Sequence, residues 1–361
     1  MVGVFIFLWK EGRLRHILTS VKGSIYIIAF CALGIMVPVF YGNWLGLAVG
    51  LAMCLIFIFA LYARTVMTKP LLNRVIDISC AASVWCLGVA VVQQLIFTEP
   101  SYRACATFMN PNYYATMIEF VVLLAVYRLL GNLRWPNRLF YLGVIGANIV
   151  GLYLCDCRTA WFALFLGIPV LLLINRRYKA LALQLIFTAA FLIALPWLPN
   201  LLPRLGSVGS SFDVRQSIWV TAIQGFLASP LFGEGGLTYQ HIFRELGGYP
   251  TNHAHNLLLD LLLNYGIAGV CLIAAYLMDN LKPLVRMLKQ RSDPRLLSLI
   301  VATIVAVAAH GTMDATVFYI QTGMMLAVVL SCADVQGNPV AIQRRPLYGM
   351  EPNPLLHYYV E

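Results

Sequence analysis

Apolar blocks alternate with short polar, mostly basic stretches along nearly the whole chain. Runs near the length that crosses ~30 Å of hydrocarbon fall at 24–40, 44–62, 75–97, 113–130, 139–155, 160–174 and 181–198. After a polar stretch come three more, at 256–278, 296–313 and 316–332. This pattern predicts an all-α integral membrane bundle of about ten transmembrane helices. We read residues 1–361 as a single transmembrane domain, with 199–255 as one larger extracytoplasmic loop. Val4–Trp9 is too short to cross, and no small-residue cleavage site follows it.

Composition supports this reading. Of 361 residues, 60% are hydrophobic and 11% charged, whereas a soluble domain carries about 25% charged residues. The net charge of +10 raises nucleic acid as a partner. The basic residues sit between apolar blocks, however, so loop placement accounts for them and no nucleic acid is expected. Twenty of the 25 Lys and Arg fall in alternate loops on one side; Arg103, Arg158, Arg204, Arg215 and Arg244 fall on the other. Positive charge marks the cytoplasmic side, so both termini are expected inside. The nine Cys show no disulfide framework and no C-x-x-C metal spacing.

The five outer cations are all Arg, whose planar fork suits phosphate oxygens better than a Lys point charge. In the outer loop, Ser210 and Asp213 have the spacing of a helix start. Val214, Ile218, Ala222 and Phe226 recur at helical spacing up to Ala228-Ser229-Pro230. A helix along the outer surface is expected, followed by a mobile loop at Gly233-Glu234-Gly235-Gly236. Arg215 shares a helix face with Trp219, either as a simple cation–indole stack or as a cation held rigid for an anion. Arg158 follows Asp156, where a local ion pair is the plain alternative. Asn110 and Asn112 flank Pro111 as a turn and helix cap.

His253 and His255 stand where the outer loop re-enters the membrane. On a helix, two His at i and i+2 point apart, and no Glu or Cys lies at ligand spacing, so no metal or other cofactor is expected. Asn256 suits a helix cap. An imidazole titrates ordinarily near 6.5 and suits proton transfer. His310 and Asp314 are placed in an outward turn between the last two spans, where a carboxylate is costly unless paired. Asp77, Glu119 and Asp260 lie a turn or two inside span ends.

Together these segments resemble the bacterial O-antigen ligase/polymerase family. The resemblance is carried by Arg103…Phe108-Met-Asn110-Pro111-Asn112 and by Cys157-Arg158-Thr159-Ala160. It continues in Arg215-x-x-x-Trp219-x-x-Ala222…Ser229-Pro230-Leu231-Phe232-Gly233-x-Gly235, and in His253-Ala254-His255-Asn256 with Gly266 and Gly269. It implies metal-independent, inverting transfer of a glycan from an undecaprenyl diphosphate carrier to an acceptor hydroxyl, outside the bacterial plasma membrane. The acceptor would be a glycan or a lipid A core, with membrane lipids around the bundle. By resemblance, His255 and Arg215 are the catalytic pair. Arg158, Arg215 and Arg103 are the candidate diphosphate clamp. Trp219, Asn110, Asn112, His253, Asn256 and Asp314 are supporting residues. The chain departs from the family in having about ten rather than twelve spans, and Asn264-Tyr265 where a Glu is common. The alternative is a lipid-linked oligosaccharide or other membrane transporter, which predicts ionisable groups deep in the bundle. Here most of them cluster at one surface.

Overall fold

A computed structural model describes residues 2–99, 102–194 and 208–335, and these are helical throughout their regular structure. In chain order the helices are α1 (Val2–Lys10), α2 (Arg13–Ser20), α3 (Ser24–Phe40), α4 (Trp44–Val66), α5 (Lys69–Ile96) and α6 (Pro111–Leu129). Next are α7 (Trp135–Cys155), α8 (Arg158–Ile174), α9 (Tyr178–Ala194), α10 (Val208–Ala228) and α11 (Thr238–Ile242). The last are α12 (Leu257–Gln290), α13 (Pro294–Gly311) and α14 (Ile320–Ser331). Every apolar run read from the sequence has a helix. Residues 195–198 of the seventh run, residues 199–207 with Arg204, and the terminal Arg344 and Arg345 lie outside the described residues.

Helix starts follow local chemistry. The side chains of Asn43, Thr68, Asn110, Asn256 and Asp293 each accept an N–H from the first turn they precede. Proline fills the first turn of α5, α6, α7 and α13, where its missing N–H costs nothing. Five helices are long and apolar enough to cross a bilayer unaided, or six if the bent pair at Arg13–Thr19 and Ser24–Phe40 forms one span. α8, α9 and α14 are shorter apolar helices. The final run begins as a 3₁₀ turn at Thr316–Phe318 before α14.

α6 is buried nearly all round, from Tyr114 to Tyr127, and α13 is buried along most of its length. A helix apolar on every side belongs in a core. α13 packs most closely on α8, and α6 on α7. α5, by contrast, turns Ile78, Trp85, Val92 and Leu95 outward, an apolar exposure suited to lipid. A small separate core of Ile218, Ala222, Tyr239, Ile242, Ala254 and Leu263 ties α10 and α11 to the start of α12.

The helix ends sort into two layers. At one end Arg64 donates to Tyr276, Lys69 pairs with Asp293 at 2.8 Å, and Arg128 lies against Asp77 and Tyr141. At the other end lie the ends of α5, α7 and α13 and the starts of α4, α6, α8 and α12, together with Arg103 and both loop histidines. Arg64, Lys69 and Arg128 therefore lie at the end of the bundle opposite Arg103 and the two histidines.

The Gly-rich segment is not the loose loop the sequence suggested. Asn43 donates from Nδ2 to the carbonyls of Glu234 and Gly236, and the Gly235 amide donates to the Asn264 carbonyl. The glycines are there for close approach: a Cβ on Gly235, whose φ is +99°, would lie 2.4 Å from Pro38. α12 breaks at Gly266, which has φ 62° and ψ −167°, a conformation essentially limited to glycine. The amides freed there donate instead to Pro230 and Leu231, at 2.9 Å each. Backbone freed at a helix break has to find such partners if the helix is to stay buried.

Candidate active site

The site is built around Asp314, in the short turn after α13. Its carboxylate is 3% exposed and accepts from four directions. Oδ1 takes the Ala315 amide at 2.8 Å, His253 Nε2 at 2.7 Å and His255 Nδ1 at 3.1 Å. Oδ2 takes Asn112 Nδ2 at 2.6 Å. Asn112 in turn accepts from Arg103 Nη2 at 2.7 Å, while Arg103 Nε donates to the Cys155 carbonyl at 2.9 Å. Asn110 caps α6 by accepting the Asn112 amide at 2.8 Å. Arg103, Asn110 and Asn112 thus form one rigid approach to the carboxylate.

The two histidines do not diverge. The segment between Thr251 and Asn256 is not helical, and His255 has φ +48°, a left-handed setting that is strained for a non-glycine residue. That twist brings both rings to Asp314, with centroids 4.3 Å apart. The expectation that they point apart assumed helical geometry that the segment lacks. His255 Nε2 lies 3.1 Å from the Thr251 hydroxyl. His253 Nδ1 has no hydrogen-bond partner among the described residues.

The segment is pinned from beneath. Asp260 in α12 accepts the Ala254 amide at 2.9 Å, and Asn264 Nδ2 donates to Asp260 at 2.9 Å. Asn264 Oδ1 accepts the Thr238 amide at 3.1 Å. Asn256 caps α12 and donates to the Thr312 carbonyl at 3.0 Å. Trp219 Nε1 reaches the His255 carbonyl at 3.5 Å, and its indole packs edge-on with Phe212. Trp219 therefore orders the histidine segment, and Phe212 takes the ring contact that a stacked Arg215 would have used.

Arg215, half-buried on α10, donates from Nε to the Met313 carbonyl at 3.2 Å, one residue before Asp314. Its two terminal nitrogens make no hydrogen bond or ion pair among the described residues. A fixed Nε with a free fork is the arrangement that presents a guanidinium to an anion. Arg158 opens α8 directly after the buried Cys157, at the same end of the bundle.

Burial alone would raise the Asp314 pKa. The hydrogen bonds and charges of His253 and His255 outweigh burial and hold it well below the usual carboxylate range. For His253, burial opposes charging, but the bond to Asp314 and the Asp314 charge prevail and raise it. His253, His255 and Asp314 also place three potential metal-ligand atoms within 4.8 Å of one another. Oδ1 also accepts the Ala315 amide, and both imidazole nitrogens lie at hydrogen-bond distance from it. The geometry is that of a carboxylate orienting imidazoles.

His310 is not in the turn where the sequence placed it. It lies in the last turn of α13 and pairs through Nδ1 with Glu119, both fully buried. Asn112, Thr116 and Glu119 share one face of α6 and meet Asp314, Thr316 and His310 in turn. That polar ladder was detectable as i, i+4, i+7 spacing, although its partners were not. Nothing in the sequence pointed to Thr251 as a partner for His255.

Residues 141–274 match the family model described as O-antigen ligase. Over that stretch the chain is similar to O-antigen ligases. The matched region contains Arg158, Arg215, Trp219, His253, His255, Asn256, Gly266 and Gly269; Arg103, Asn112 and Asp314 reach the same site from outside it. A chain from a solved structure titled for polymerization and crosslinking by a peptidoglycan synthase complex shares the fold. Its TM-score is 0.51 at 18% identity, covering 88% of this chain and 98% of that one. No curated protein matches this chain. The apolar helices mark a multi-pass membrane protein.

Proposed function

We propose that this protein transfers a glycan from an undecaprenyl diphosphate carrier to an acceptor hydroxyl, at the extracytoplasmic face of the bacterial plasma membrane. All ten apolar helical segments cross in this reading, with both termini inside. The observation that carries it is the convergence on Asp314 of motif residues from three separate segments: Asn112 with Arg103 behind it, His253 and His255, and Arg215 through Met313.

The chemistry needs little beyond positioning and charge. A sugar 1-diphosphate already carries a good leaving group. The acceptor oxygen attacks the anomeric carbon from the face opposite the diphosphate, which inverts the centre. As the C1–O bond breaks, its electron pair moves to the diphosphate oxygen. Arg215, with its free fork, and Arg158 stabilise that charge at the low-dielectric edge of the membrane. Arg103 is already committed to Cys155 and Asn112, so it acts mainly by holding Asn112 on Asp314.

The acceptor's proton passes to the imidazole pair. His255 is the leading base: Asp314 fixes its Nδ1, and the Thr251 hydroxyl at Nε2 marks where an acceptor hydroxyl would sit. No step requires a metal.

The carrier's tail has a place. An apolar cavity of about 540 Å³ runs between α3, α4, α12, α13 and α14, from Leu257 and Phe318 near the site to Arg64 and Tyr276 at the other end. The transporter reading has less support: the ionisable groups within the bundle, such as Glu119 and His310, are paired and sealed.

The deciding experiment is mass spectrometry of products from purified protein given a defined carrier-linked glycan. A lipid A core and a second carrier-linked repeat are supplied in turn as acceptors. A new glycosidic bond with either acceptor supports transfer and separates ligase from polymerase. Movement of intact donor between leaflets without bond formation favours the transporter.

A further inference from the structure

Beside His253 lies a pocket of about 170 Å³, walled by Tyr113, Tyr319, Asp260, Asn264 and Tyr265 as well as the imidazole. At ~30 Å³ per water it holds about five or six waters, the space of one sugar ring. Its walls are of two kinds. Tyr113 and Tyr319 stack at 4.2 Å with an interplanar angle of 8°, and with Phe318 they give an aromatic side. Asp260, Asn264 and His253 give a polar side. A few placed polar groups in an otherwise apolar recess are typical of a small-molecule subsite, and a pyranose ring presents both a C–H face and hydroxyls.

Charge selects among the parts of the reaction. Among the described residues no Lys or Arg lines the pocket, and Asp260 does, so a diphosphate is disfavoured there and belongs with the arginines. The tail has its own cavity, which meets this pocket at Met53 and Phe318. What is left is a neutral sugar. His253 offers it a contact: Nε2 is tied to Asp314, while Nδ1 has no hydrogen-bond partner among the described residues. An open imidazole nitrogen suits a ring hydroxyl beside the reacting one, which sits at His255 Nε2, while the donor sugar stays with its diphosphate at the arginines.

We propose that this pocket is the acceptor subsite: it holds one neutral sugar ring against Tyr113 and Tyr319, with a ring hydroxyl on His253 Nδ1. This assignment rests on the transferase reading above. Saturation-transfer NMR on the full chain in nanodiscs tests it, with methyl glucoside, galactoside, mannoside and rhamnoside as probes. Wild type is compared with Val49→Phe, which fills the pocket from α4, and with Tyr319→Leu, which removes one wall; melting curves check that each folds. At least one glycoside should bind wild type. Either folded variant should weaken that binding about tenfold and raise the acceptor KM by a similar factor, with donor affinity and kcat unchanged. The proposal is overturned if no glycoside binds wild type, if both variants bind as wild type does, or if donor affinity falls instead. Glycoside binding lost in the variants, with no transfer by wild type to any acceptor, overturns the transferase reading and the acceptor assignment with it.

Discussion

Replacing Asp314 with Asn tests the centre of the site with almost no change of volume. The carboxylate accepts from Ala315, Asn112, His253 and His255 at 2.6 to 3.1 Å, and it is buried. An amide offers one acceptor oxygen and turns an NH₂ toward groups that are themselves donors. At least one charge-assisted bond is lost, each worth about 1.5–3 kcal/mol, and an imidazole is left in the wrong tautomer or rotated away. General-base catalysis contributes ~10²–10⁴-fold, so transfer should fall by about that factor, or roughly 3–5 kcal/mol.

The pH dependence of stability gives a separate check. The raised pKa of His253 contributes stability that is fully present below its unfolded value and lost as pH rises through the folded one. The depressed Asp314 contributes stability that is present above its unfolded value and lost as pH falls through the folded one. In Asp314→Asn the acid-side loss vanishes and the His253 contribution shrinks. The assay is single-turnover transfer from bound carrier-linked donor across pH, alongside thermal unfolding in detergent. A folded Asn variant with near-normal rates and an unchanged pH profile would refute the orienting role.

Other outcomes follow from the same geometry. Arg215→Lys keeps charge but loses the fork, so it should turn over poorly, with Arg215→Ala worse and both still folded; wild-type turnover by the Lys variant excludes a bidentate phosphate contact. His255→Gln should lose about 10²–10⁴-fold in single-turnover transfer while retaining donor binding, measured by a filter assay; a near-normal rate hands the proton to His253 or to solvent. Gly266→Ala should destabilise by about 1–3 kcal/mol or more, read as a lowered melting temperature, because its Cβ would sit 2.4 Å from the Leu231 backbone; an unchanged melting temperature refutes the break. Reporter fusions should place Gly247 outside and Arg176 and Arg291 inside; if Arg176 and Gly247 report the same side, the ten-span topology fails.

The apolar runs determined the helices by themselves, because a long hydrophobic segment has few ways to satisfy its backbone in lipid. Asn, Asp and Thr caps and first-turn prolines then set many of the starts locally. The basic loops likewise carried an expected orientation, and the structure places Arg64, Lys69 and Arg128 at the end away from Arg103. The short motifs named Arg103, Asn112, Arg215, His253, His255 and Asp314 as candidates, since outward arginines and interface histidines stand out against an apolar background. Convergence could not be read that way. Asp314 lies 59 residues from His255 and 202 from Asn112, and no local rule links such distant positions. Only packing of α6 against α13 brings Asn112 to Asp314. Only the left-handed turn at His255 defeats the i, i+2 argument, and that turn is held by Trp219, Asn256 and the Asp260–Asn264 relay. The Gly-rich segment shows the same division. Its composition says that the backbone there is free to bend, while its seating against Asn43, Pro38 and Asn264 depends on which surfaces the fold brings beside it.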